Sequence, residues 1–193
     1  DPSSRKKKGA HRPVFADVFQ HEGESVDLPK KVHLLVNPFS GKKKGRAVAQ
    51  RVIELVKEAG VEIQSSYSAY SGHLVTMASA LVVGKNEVIA VVGGDGSLSE
   101  AITGRMLLGK KGKETFAIIP AGTGNSHAHD LKLSSVEQAV EAMLRGRRQA
   151  LDLARVELTE GLPGATGEPM VRYSHNLVTW GLGVDSTIQA EKM

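Results

Sequence analysis

An α/β fold, a parallel sheet with helices on both faces followed by the start of a β-rich domain, is what three features of the sequence predict. Short apolar runs alternate with segments of helical period from residue 31 to about 150. Three of those runs end in glycine-rich turns. From Leu151 onward strand follows strand with no helix between.

Residues 1–30 hold Pro2, Pro13 and Pro29 and no sustained periodicity, so they are expected to be a tail or linker, with Arg5 to Lys8 a solvated basic run. Val32, Leu34, Leu35 and Val36 form an apolar run between polar residues, the signature of a strand buried on both faces. Val48, Val52, Leu55, Val56 and Ala59 recur at helical spacing, and Gly60 supplies a left-handed cap. Val61 to Tyr67 alternates as a strand, and Leu74, Met77, Ala78, Leu81 and Val82 mark a helix closing near Gly84. Val88 to Val92 is a further buried strand, followed by a glycine turn and a helix from about Ser97 to Leu107. Phe116 to Ile119 is the fourth strand. Ser134 and Glu137 then read as a capping box before the helix carrying Val136, Val140, Met143 and Leu144. Leu151 to Leu158 and Met170 to Trp180 read as two antiparallel strands joined by a loop with Gly161, Pro163, Gly164 and Gly167. The domain expectation is therefore a tail over 1–30, an α/β unit over 31–150, and over 151–193 the first part of a β-rich unit that continues beyond Met193.

Composition narrows the chemistry. The 193 residues include no cysteine, which excludes disulfides, thiolate nucleophiles and cysteine-ligated zinc and fits a reducing compartment, so a cytoplasmic location is expected. No apolar run approaches the roughly 20 residues that span a bilayer, and no secretory signal is visible. A net charge of +4 suits nucleic acid, anionic membrane or phosphorylated small molecules, but aromatic residues at 4% offer no stacking platform for single strands, so nucleic acid is the least favoured partner.

Three strand ends lead into unusual turns: Asn37-Pro38-Phe39-Ser40-Gly41, Gly93-Gly94-Asp95-Gly96-Ser97, and Pro120-Ala121-Gly122-Thr123-Gly124-Asn125. In a parallel sheet these turns open at one edge and are expected to form one site. Glycines let main-chain N–H groups approach phosphate oxygens, and a helix starting near Ser97 adds its positive end. Neither a Walker loop nor a three-glycine dinucleotide pattern is present. A carboxylate among bare amides, Asp95, repels phosphate unless a metal intervenes or it binds a hydroxyl proton; phosphoryl transfer to an alcohol requires one or both. Glu100, five residues on, could hold a magnesium-bound water.

The ordered trio of Asn-Pro-x-Ser-Gly, Gly-Gly-Asp-Gly-Ser and Pro-Ala-Gly-Thr-Gly-Asn resembles the lipid kinase superfamily of diacylglycerol, sphingosine and ceramide kinases, over about residues 31–193. The resemblance implies an α/β nucleotide domain followed by a β-sandwich lipid domain, with ATP between them and Mg2+ as its partner. It also implies that Asn37, Ser40, Gly41, Gly94, Gly96, Ser97, Gly122, Thr123, Gly124 and Asn125 line the nucleotide. By the same resemblance Asp95 is the catalytic carboxylate, as base toward the lipid hydroxyl or as magnesium organiser. Trp180-Gly181-Leu182-Gly183-Val184-Asp185, with Glu191 and Lys192 after it, looks more like the sphingosine kinase branch, which makes Asp185 the candidate contact for the head of a sphingoid base. The expected reaction is transfer of the γ-phosphoryl group of ATP to a sphingoid long-chain base at a membrane surface, with peripheral membrane association. The alternatives are diacylglycerol, ceramide or NAD as acceptor, or a nucleotide-binding module without turnover.

Other residues carry less. His127 and His129 with Asp130 are expected to be structural or surface groups, and His73 a surface histidine, with the border of the adenine end as the alternative. Lys42, Lys43, Lys44 and Arg46 could neutralise phosphate, face anionic lipid or form a solvated helix start.

Overall fold

Strands β1 (Lys31–Val36), β2 (Glu62–Tyr67), β3 (Glu87–Gly93) and β4 (Thr115–Pro120) pair in parallel in the order β2-β1-β3-β4. The computed structural model describes residues 28–109, 114–146, 148–158, 170–176 and 178. The tail up to residue 27, the segment from Trp180 to Asp185, Glu191 and Lys192 lie outside the described residues. Between strands come the short turn α1 (Ser40–Lys43) and the helices α2 (Gly45–Glu58), α3 (His73–Ala80), α4 (Asp95–Met106), α5 (Ser126–Asp130) and α6 (Val136–Leu144).

Side-chain alternation on the central strands builds two cores. Val32, Leu34 and Val36 face one side with Val88, Ala90 and Val92, and pack on Ala49, Val52, Leu55 and Val56 of α2 and on Val140, Met143 and Leu144 of α6. Leu35, Ile89 and Val91 face the other, against Leu74 and Ala78 of α3, Leu98, Ala101 and Ile102 of α4, and Ala128 of α5. Burial on both faces explains why β1 and β3 are unbroken apolar runs, whereas β2 at the edge keeps polar residues at Gln64, Ser65 and Ser66. Beyond α6, β5 (Ala154–Leu158) and β6 (Met170–Ser174) pair antiparallel and begin a second sheet. Leu153 and Tyr173 pack on the second core.

Several boundaries differ from expectation, each for a local reason. The helix expected from Ser97 starts at Asp95, because Gly94 in extended conformation is its N-cap. The helix expected to reach Val82 stops at Ala80: Leu81 turns extended, and the buried Arg105 guanidinium takes the carbonyls of Ala78 and Leu81. Val82 is left 90% exposed. The capping pair is shifted by one residue. Ser135 is the N-cap of α6 and accepts from Gln138 N, while Gln138 Oε1 accepts from Ser134 N; Glu137 instead pairs with Arg51 across to α2. One of the three readings of the basic residues after the first turn, a solvated helix start, is met only from Gly45: Gly41, Lys42 and Lys43 form a left-handed turn, with φ of 54°, 60° and 69°. Gly60 takes the left-handed conformation expected of it, with φ 74°.

Candidate functional site

The order β2-β1-β3-β4 reverses direction between β1 and β3, and ligand clefts in open parallel sheets lie at the carboxyl ends of such a pair. The loops after β1, β3 and β4 meet there. Asn37 N donates to Val92 O at 2.9 Å, Asn37 Nδ2 donates to Ser97 Oγ at 3.1 Å, and Ala121 N donates to Gly93 O at 3.0 Å. Asn37 Oδ1 accepts from Phe39 N at 3.0 Å, which turns the chain toward the buried Ser40. One neighbouring loop is thus tied to the next by the residues that the motifs share.

Close backbone approach fixes two of the glycines. A methyl group on Gly41 would run into the carbonyl oxygen of Ala121, and one on Gly122 would stand 2.6 Å from Gly94 Cα. Gly122→Ala is therefore expected to part the second and third loops. Its nucleotide affinity should fall about tenfold or more while the far-UV spectrum stays that of the parent, since a small displacement at a preorganised site costs that much. Calorimetric titration with ATP and with ADP reads it, and unchanged affinity would mean the loops do not converge on the ligand.

Gly94 caps α4 without any side-chain bond, so the first-turn N–H groups of this 12-residue helix meet no capping side chain at the junction. Gly96 is exposed, and a Cβ there would meet nothing within 4 Å, so its place in the motif reflects no close protein neighbour. Thr123 and Gly124 are exposed on the third loop, and a Cβ on Gly124 would lie 4.0 Å from Asp95 Oδ2. Asn125 stands at φ 54° and spends its amide on its own loop: Oδ1 accepts from Gly122 N and Nδ2 donates to Gly122 O, both at 2.8 Å. It shapes the turn from within.

Asp95 occupies the first turn of α4 and is held from the third loop. Its Oδ2 accepts from Ser126 N and its Oδ1 from His127 N, each at 2.9 Å, so the carboxylate caps α5. Partial burial works against the charged form, but these two N–H donors, with a smaller contribution from His175, outweigh it and hold the carboxyl below the ordinary range. Glu100 Oε1 accepts from Gly72 N at 3.1 Å, which anchors the start of α3 onto α4. Among the described residues no group of three or more histidine or acidic side chains gathers as a metal site, which includes His127, His129 and Asp130.

Two further carboxylates share the depressed state. Glu87 is held low by its bond with His33, 2.7 Å away, and by Gly84 N, and Glu137 by Arg51. A carboxyl held low in the folded chain contributes stability that is complete above its unfolded value, about pH 4, and is lost as pH falls through the lower folded value. Denaturant midpoints are accordingly expected to decline below about pH 4. Equal midpoints at pH 3 and pH 6 would contradict this.

Sequence reasoning missed the surroundings of Asp95. His127 is half-buried with its ring 4.8 Å from that of His175, edge to face; burial first, then His175, lowers its proton affinity despite Asp95 and Asp130. His175 Nε2 lies 3.2 Å from the backbone oxygen of Asp95. No local pattern marks either contact, because they join residues 48 and 80 positions apart. His73 stacks on Tyr70 at 4.5 Å and accepts from Ala69 N, and Arg46 lies over the Tyr67 ring. Lys42, Lys43 and Lys44 are exposed beside the first loop. Asp185 lies outside the described residues.

With this geometry, the comparisons agree on one group of proteins. Residues 31–156 match the family model for the diacylglycerol kinase catalytic domain. Sphingosine kinase 1 of Arabidopsis thaliana is 30% identical over 192 residues, covering 94% of this chain and 37% of that protein. A diacylglycerol kinase of Mycobacterium tuberculosis is 29% identical over 162 residues, covering 79% and 51%. The solved structure of a putative diacylglycerol kinase from Bacillus anthracis str. Sterne superposes with a TM-score of 0.53 at 23% identity, over 67% of this chain and 44% of that one, which is a likeness of fold. The chain spans about half or less of the length of each of these relatives.

Proposed function

Because this chain belongs to the diacylglycerol kinase catalytic domain family, we propose that it is the nucleotide-binding part of a lipid kinase that transfers the γ-phosphoryl group of ATP to the hydroxyl of a sphingoid long-chain base. The single observation that carries the proposal is the meeting of three loops around the uncapped start of α4, with one ionised carboxylate, Asp95, fixed at their centre. In this reading Asn37, Ser40, Gly41, Gly94, Gly96, Ser97, Gly122, Thr123, Gly124 and Asn125 surround the phosphates. The helix start and loop N–H groups offset their charge, since phosphoryl transfer is catalysed mainly by positioning and electrostatic stabilisation.

A cation fits the same place. Each Asp95 oxygen accepts one N–H and keeps a lone pair, and Mg2+ usually takes one or two carboxylates and leaves the rest of its shell to water and phosphate. Asp95 would hold it, with Glu100 contributing through water from the oxygen that Gly72 does not use. When bound, Mg2+ neutralises charge on the transferring phosphate. The chain's own contribution is to keep Asp95 ionised and immobile.

The sphingoid acceptor draws support from the length of the match to the Arabidopsis sphingosine kinase, and from Asp185, whose carboxylate suits an amino alcohol. Residues 151–193 would then be the start of the lipid-binding unit, working at a membrane surface from the cytoplasmic side. No helix among the described residues is long and apolar enough to cross a membrane. The test supplies the full-length protein with γ-labelled ATP, Mg2+ and, separately, a sphingoid base, diacylglycerol and ceramide in mixed micelles. Label in the sphingoid base is expected. Label in diacylglycerol or ceramide alone would reassign the acceptor, and ATP binding without any labelled lipid would reduce the protein to a nucleotide-binding module.

A further inference from the structure

The β5–β6 hairpin meets the α/β unit beside the candidate carboxylate through an imidazole. Tyr173 N donates to Thr103 Oγ1 at 3.0 Å, which fastens β6 along α4. Two residues on, His175 is 9% exposed and its Nε2 lies 3.2 Å from Asp95 O. A carbonyl oxygen only accepts, so Nε2 carries a proton. The Nδ1 of His175 is buried and has no hydrogen-bond partner among the described residues. A buried polar nitrogen without a partner costs stability, so packing alone gives no reason to place an imidazole here. What the ring does contribute is closure. It touches Asp95 through the backbone and His127 through the ring edge, and His127 N in turn holds the Asp95 carboxylate. Two segments, α5 and the residue that follows β6, thereby hold the one acidic residue at the start of α4.

We infer that His175 is a positioning residue that fixes Asp95, through the Asp95 backbone oxygen and the His127 ring, and so couples the hairpin to the phosphate-binding loops. The inference rests on the kinase reading above and deepens it. It makes His175, just past β6, part of the machinery that orients the carboxylate, in addition to any role the hairpin has toward the acceptor.

Three variants of the full-length protein test it. His175→Phe keeps a ring against His127 but removes the donor, His175→Gln restores a donor at the Nε2 position, and Thr103→Val breaks the other fastening of β6 without touching Asp95. For His175→Phe, kcat is expected to fall about tenfold or more with KM for ATP within about twofold, because misplacement of a reacting group acts on the transition state. His175→Gln should recover most of that loss. Thr103→Val should lower Tm with kcat close to the parent's. An independent readout needs no turnover: amide exchange at Ser126 and His127 should quicken in His175→Phe while Val88 to Val92 stay protected. Parent-like kcat and parent-like exchange in His175→Phe, or equal kcat losses in His175→Phe and Thr103→Val without rescue by glutamine, would overturn the inference while leaving the kinase reading intact. A wild type that labels no lipid removes the kinase reading, and unchanged Ser126 and His127 exchange then removes the positioning role as well.

Discussion

Asp95→Asn in the full-length protein is expected to reduce phosphoryl transfer by about a hundred- to a thousand-fold, the range seen when one preorganised electrostatic group is removed from an active site. The substitution acts twice. It deletes the charge placed at the junction of the three loops, and it sets an amide NH2 against one of the two N–H donors, Ser126 or His127, that the carboxylate now satisfies. Asp95→Glu keeps the charge but moves it by one methylene, so it should also fail, and by a similar factor if position matters as much as charge. ATP affinity should change less than kcat, since the main-chain donors of the three loops remain. Single-turnover transfer and equilibrium ATP binding separate the two, and an asparagine variant with parental kcat would remove Asp95 from the chemistry. The carboxyl's low proton affinity keeps it ionised across the neutral range, which suits a cation partner and makes it a weak base toward an alcohol.

The largest effect on stability is expected away from the site. Arg105 is 2% exposed and its guanidinium binds both Glu114 carboxylate oxygens together with the carbonyls of Ala78 and Leu81. One side chain thus closes the end of α3, crosses α4 and holds the residue that leads into β4. Arg105→Met would leave Glu114, whose side chain is 13% exposed, without its partner and two carbonyls without donors. Breaking a buried pair on one side costs about 3–5 kcal/mol, which for a chain of this size lowers Tm by on the order of 10 °C. Replacing both partners together, Arg105→Met with Glu114→Leu, should recover much of that loss, because it removes the stranded charge. Thermal unfolding of the single and double variants decides it, and a single variant within about 1 kcal/mol of the parent would show that the pair contributes little net stability.

The strands and glycine loops were legible because their causes are local. Val32 to Val36 and Val88 to Val92 read as doubly buried strands from composition alone, and Gly60 read as a left-handed cap. Asn37, Gly94 and Gly122 could be placed at one sheet edge because parallel topology brings strand ends together. Boundaries failed where a distant residue took part: α3 ends where Arg105 takes its carbonyls, and α6 is capped by Ser135 instead of Ser134, with Glu137 engaged by Arg51. Glu100 read as a candidate holder of a magnesium-bound water, and its bond with Gly72 N, 28 positions away, was not legible.

For this protein, sequence alone determined the alternation of elements, the three glycine-rich turns and the identity of the acidic residue among them, since periodicity and glycine placement are properties of neighbouring residues. Tertiary structure alone decided how that residue is held: by the Ser126 and His127 amides and by an imidazole 80 positions away, with Asn125 turned back on its own loop. Hydrogen bonds between segments far apart in the chain depend on where folding brings the backbone, and no spacing along the sequence encodes them.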